Sequence, residues 1–209
     1  MKARARLAVL ASGAGSNLQA VLDACASGAL PAEVVVVACN RAKALALVRA
    51  EHAGVATLHA PLGGFADRAA YDADLALRLA AFDPDLVVLA GWMLVLGKGF
   101  LDCFAGRVIN LHPALPGALP GTEAIARAWQ AGRAGTARET GVMVHHVVPE
   151  VDAGPVVLQE RVPLLPGETL PELEARMHAV EHRLLVAAIA KMLADLGQSR
   201  ASHAMAGSE

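Results

Sequence analysis

Short unbroken aliphatic runs alternate along this chain with segments whose apolar residues recur every three or four positions. The runs Leu7–Leu10, Val34–Cys39 and Leu86–Ala90 read as strands buried on both faces, because a strand with one wet face would alternate polar and apolar residues. Between them, a helix opening at Ser16 puts Leu18, Val21, Leu22 and Cys25 on one face and stops at Ser27-Gly28. A second helix covers about Ala42 to Ala53 and a third about Asp67 to Ala81, and Arg107–Leu111 is a further short strand. This alternation predicts an α/β fold: a Rossmann-like, mostly parallel twisted sheet flanked by helices.

After His112 the pattern changes. HPALPGALPG is a Pro/Gly-rich loop leading to a helix near Thr122–Ala131. Two strand candidates, Gly141–Val148 and Pro155–Pro163, are joined by the bend PEVDAG and form an antiparallel pair. From Leu170 to Leu193 a long helical pattern would bury Leu173, Met177, Val180, Leu184 and Ile189. With no internal repeat and no linker, the expectation is a single domain over residues 1–195 and a flexible tail over 196–209.

Composition narrows the partners. The 209 residues are 55% hydrophobic and 18% charged, which excludes disorder. Eighteen Lys and Arg against twenty Asp and Glu leave a net charge of -2, so no basic field exists to gather nucleic acid or an anionic membrane, and any phosphate must be bound locally. Three widely spaced cysteines without a CxxC pair fit neither a disulfide framework nor a zinc knuckle, and a reducing cytoplasm is expected. Neither an export signal nor a membrane span is visible.

Three features could carry chemistry. The turn ASGAGSN, Ala11 to Asn17, lies between the first strand and the first helix, where free N–H groups and the helix dipole favour an anion and the glycines let it approach. A plain tight turn with Ser16 as the helix cap is an equally good reading. The third position of a dinucleotide GxGxxG fingerprint is Leu18, and no acid ends the second strand, so a nicotinamide cofactor is not expected; nor does the sequence carry the Lys of a P-loop. A single phosphate monoester is the fitting size. Asn110 and His112 lie two apart at a strand end and so project from one face, an amide donor beside an imidazole that exchanges protons near neutrality. That pairing suits acyl transfer through an oxyanion, although a turn-capping Asn and a surface His would look the same. Asp152, in a glycine-flanked turn, is the best partner for that imidazole; alone it is a turn Asp.

No metal site is expected. His145 and His146 point to opposite faces of a strand, and His178 and His182 share a helix face but have neither the HExxH acid nor a third ligand, so packed or surface roles are expected.

Taken in order, SGAGSN, LAGWM at 89–93, INLHPALPG at 109–117 and VHHVVPEVDAGPVV at 144–157 resemble the phosphoribosylglycinamide formyltransferases, a family of folate-dependent formyltransferases in purine synthesis. The resemblance spans about residues 7 to 194. It implies 10-formyltetrahydrofolate as donor, glycinamide ribonucleotide as acceptor, no metal, and catalysis by Asn110, His112 and Asp152. Gly15, Ser16 and Asn17 would hold the acceptor's phosphate, Glu181 and His145 match positions at the acceptor site, and Arg68, Met93, Leu96 and the Val148-Pro149-Glu150 backbone would line the folate side. Leu94, Met143 and the apolar HPALPGALPG loop depart from the family pattern. A hydrolase of formyltetrahydrofolate would carry a domain before the catalytic one, where six residues precede the first strand here. A methionyl-tRNA formyltransferase would carry a basic domain after it, where this sequence ends at Glu209 with an acidic balance. A non-catalytic phosphometabolite-binding protein would need the glycine turn but not the triad. A homodimer is compatible with the sequence.

Overall fold

The computed structural model describes residues 4–206, and of 199–206 the backbone alone. Its strands are β1 (Ala5–Leu10), β2 (Ala32–Cys39), β3 (Ala56–His59), β4 (Leu86–Leu89), β5 (Val108–His112), β6 (Glu139–His146) and β7 (Val156–Pro163). They form one sheet in the order β3-β2-β1-β4-β5-β6-β7. The first five are parallel, and β6 and β7 add as an antiparallel pair. Chain order reverses at β1, which lies between β2 and β4. Open α/β sheets bind ligands in the crevice such a reversal leaves at the carboxyl ends of the strands.

The aliphatic runs are buried on both faces as expected. Leu7 and Val9 face a core shared with α1 (Ser16–Ala26) and α6 (Leu170–Ala206), whereas Ala8 and Leu10 face a second core under α3 (Arg68–Ala80) and α4 (Lys98–Cys103). α2 (Leu45–His52) and α5 (Ala124–Arg133) complete the helices. In α3 the Asp67 side chain caps the Ala70 N–H at 2.8 Å, and Tyr71, Leu75 and Leu79 form its buried stripe. All five apolar residues expected inside α6 are buried, together with Leu185, Ala188 and Met192.

Two elements were not expected from the sequence. β3 is four residues long and largely exposed at the sheet edge, so it has no aliphatic run; α4 is a six-residue helix between glycine turns. Of the tail expected over 196–209, the backbone continues α6 to Ala206, and residues 207–209 lie outside the described residues. Among the described residues no helix is long and apolar enough to cross a membrane.

Candidate active site

The carboxyl ends of β4 and β5 open into a cleft of about 420 Å³, lined among others by Asn17, Trp92, Asn110, His112, His145 and Asp152. Antiparallel pairing sets Asn110 on β5 directly opposite His145 on β6, and His112 opposite Met143. Directly opposed residues share a face, so the register alone brings an amide and an imidazole together. The turn after β6 delivers Asp152, which adopts a left-handed backbone with φ 54°. Gly154 is indispensable to that turn: a Cβ there would lie 1.8 Å from the His146 carbonyl oxygen.

Asp152 ties the cluster together. Its Oδ1 accepts from Asn110 Nδ2 at 3.3 Å and lies 3.5 Å from His145 Nε2. Its Oδ2 accepts from the Gly121 N–H at 2.9 Å and lies 3.4 Å from His112 Nδ1. Burial pushes the carboxyl's pKa up, but the neighbouring His145, the Gly121 hydrogen bond and the His112 imidazole outweigh it, and the group sits below the usual carboxylate range.

His112 is 4% exposed. Its Nε2 meets the Leu119 carbonyl at 3.1 Å, an acceptor that demands a proton on that nitrogen, while Nδ1 faces Asp152. Only the charged imidazolium satisfies both neighbours. Burial works against it more strongly than Asp152 and Leu119 work for it, and the pKa falls below its ordinary value. His145 Nδ1 donates to the His146 carbonyl at 2.8 Å, which leaves Nε2 to accept from Asn110 Nδ2 at 3.2 Å. Both N–H groups of Asn110 are therefore committed within the cluster.

Helix α1 reaches the cleft at Asn17; Gly15 is its N-cap with φ 71°, and the helix opens at Ser16, so the cap is one residue earlier than the tight-turn reading places it. A Cβ on Gly15 would lie 2.9 Å from the Ala46 backbone, which fixes glycine there. Asn17 Nδ2 donates to Glu181 Oε2 at 2.9 Å, joining α1 to α6 across 164 residues of sequence. Asn17 Oδ1 is buried and has no partner among the described residues, an acceptor left over on the cleft wall. His178 Nδ1 lies 3.1 Å from the same Glu181 oxygen. Burial raises the pKa of Glu181, but His178 and Asn17 outweigh it and hold the carboxyl ionised; the same bond raises His178.

A family model described as Formyl transferase matches residues 5–189. The chain belongs to the formyl transferase family. It is 43% identical over 203 residues to phosphoribosylglycinamide formyltransferase of Schizosaccharomyces pombe, an overlap of 91% of this chain and 98% of that protein. It is 40% identical over 178 residues to the Escherichia coli protein of that name, covering 85% of this chain and 82% of that one. Among solved structures, glycinamide ribonucleotide transformylase 1 from Symbiobacterium toebii matches with a TM-score of 0.85 at 43% identity, covering 90% of this chain and 87% of that one. These relatives are transferases, and this formyl transferase is an enzyme of the same kind.

Asn110, His112, Asp152, His145, Asn17, Glu181, Met93, Leu96, Val148 and Glu150 all line the cleft of this formyl transferase. Pro149 instead lines a second hollow with His146 and Pro155. Arg68 is bound to Asp72 and to the Val95 carbonyl of the cleft wall. Gly15 and Ser16 stand at the start of α1 beside Asn17. Met143 is buried, opposite His112 in the β5–β6 pairing. His145 and His178, expected from the residues alone in packed or surface roles, are members of the two polar groups; the Leu119 carbonyl and Gly121 N–H were not anticipated. Among the described residues no cluster of three metal-ligating side chains forms.

Proposed function

We propose that this formyl transferase moves the formyl group of 10-formyltetrahydrofolate onto the amine of glycinamide ribonucleotide in purine biosynthesis. The observation that carries the reading is the hydrogen-bonded cluster of Asn110, His112, His145 and Asp152, facing Asn17 and Glu181 across one cleft. The cleft joins an acyl-transfer cluster to a helix N-terminus suited to one phosphate. Ser16 and Asn17 at that terminus would hold the phosphate, and Glu181, kept ionised, would accept hydrogen bonds from ribose hydroxyls. Met93, Leu96, Val148 and Glu150 would line the folate.

In the reaction the amine nitrogen bonds to the formyl carbon and the carbonyl electron pair moves onto oxygen. Asn110 and His112 donate to that oxyanion. Asp152, with water, takes the proton the attacking nitrogen loses and returns it to the folate nitrogen as the old C–N bond breaks. As Asp152 gains the proton its Oδ1 becomes a poorer acceptor and releases an Asn110 N–H to the oxyanion. Burial keeps His112 below its ordinary pKa, and a developing negative charge beside it would raise that pKa when the charge is needed. Holding both reactants in one cleft supplies further acceleration.

Turnover by Asn110→Ala and His112→Ala tests the reading. Each substitution is expected to lower kcat by about a hundredfold or more. Unchanged turnover in both would remove the cluster from the chemistry.

A further inference from the structure

The buried carboxylate of Asp72 takes no part in the proposed chemistry. It is 2% exposed on the inner face of α3, among Tyr71, Leu75 and Phe100, where an acid is costly unless its oxygens are fully used. One is used directly, and the other through Arg68, on the segment that walls the cleft. Oδ2 accepts the Gly97 N–H at 2.7 Å, and Oδ1 accepts from Arg68 Nε at 3.0 Å. Arg68 Nη2 in turn donates to the Val95 carbonyl. Helix α3 thus grips the β4–α4 segment at Val95 and Gly97, with Leu96 between them buried at 2% exposure. The far end of the segment is held separately, since the Met93 N–H donates to Ser12 Oγ at 2.9 Å. Trp92 to Leu96 all line the cleft between these two anchors. Gly97 fits the same design: its backbone, φ -81° and ψ 172°, suits any residue, but a Cβ would lie 2.6 Å from Asp72 Oδ2.

We propose that Asp72 is a positioning residue for the donor side of the cleft: through Gly97 and Arg68 it fixes the 93–97 segment against which the folate is bound. This rests on the reading that the segment faces the folate. Asp72→Asn keeps the size but turns one acceptor into a donor facing an N–H, and a buried hydrogen bond to a charged group is worth enough to change binding about tenfold.

The test is steady-state kinetics of Asp72→Asn and, independently, Gly97→Ala, with hydrogen exchange of the Val95–Gly97 amides on the same proteins. Each variant is expected to raise the donor KM roughly tenfold, leave kcat and the acceptor KM within about twofold, and speed exchange at Val95–Gly97. Acceptor KM rising as much as donor KM, or lower thermal stability with a wild-type donor KM, would overturn the proposal and leave Asp72 a packing residue. If the wild-type protein transfers no formyl group, the functional reading fails, and the strut is judged by exchange alone: faster exchange in both variants upholds it and unchanged exchange overturns it.

Discussion

The Asp152 carboxylate accepts from Asn110 and Gly121 and lies against two imidazoles, and His112 is charged only at the expense of its burial. Asp152→Asn keeps the shape and removes the charge that favours the imidazolium. Turnover is expected to fall about a hundredfold to a thousandfold, with the acceptor KM within about threefold. The pH dependence carries a sign. If charged His112 is the active form, activity falls as pH rises through its pKa, and losing the Asp152 charge moves that limb to lower pH. A pH–rate profile of the residual activity checks this; an unmoved limb would mean that Asp152 does not act through His112.

At the scale of elements, the two polar groups are joins between segments distant in sequence. Asn17 on α1 and Glu181 on α6 share one hydrogen bond. Asn17→Ala and Glu181→Gln are each expected to raise the acceptor KM about tenfold, and the double variant less than the product of the two, because one removes and the other weakens the same bond. Full additivity would separate their roles. Leu185, fully buried on α6, should behave differently: Leu185→Ala is expected to cost about 2–5 kcal/mol in a denaturant melt with kcat unchanged. This contrast also marks what could be read beforehand. The apolar face of α6 follows from helical spacing, and Asn110 and His112 share a face by strand alternation. His145 joins them only through the β5–β6 register, and Asn17 finds Glu181 only once α6 lies over α1, and no local pattern encodes either; His178 and Glu181, three apart on one helix, meet by spacing alone. Arg68, expected on the folate side, bonds to Asp72 and to the Val95 carbonyl of the cleft wall, contacts set by how α3 docks.

Across the whole molecule, the parallel sheet was legible because unbroken aliphatic runs of strand length, spaced by helical segments, suit a sheet covered on both faces. The edge strand β3 escaped because exposure removes that signal. Titration also acts globally. Burial lowers the pKa values of His112 and His146, so below the ordinary histidine value of about 6.5 the unfolded chain binds more protons and stability falls on acidification. His178 is raised by Glu181, so its contribution is present below that value and is lost as pH rises through its folded pKa. Stability from these three groups therefore peaks at about pH 6.5. Urea melts across pH should show His112→Gln flattening the acid limb and His178→Gln the alkaline one; identical limbs in both variants would refute the assignment. The central claim, that the cleft brings a formyl donor to a phosphorylated amine, is tested most directly by supplying 10-formyltetrahydrofolate to the wild-type protein and following the formyl group with glycinamide ribonucleotide, aminoacylated tRNA or water alone as acceptor. Rapid formylation of glycinamide ribonucleotide and negligible consumption of donor in its absence are expected; equal consumption with water alone, or preference for the tRNA, would overturn the assignment.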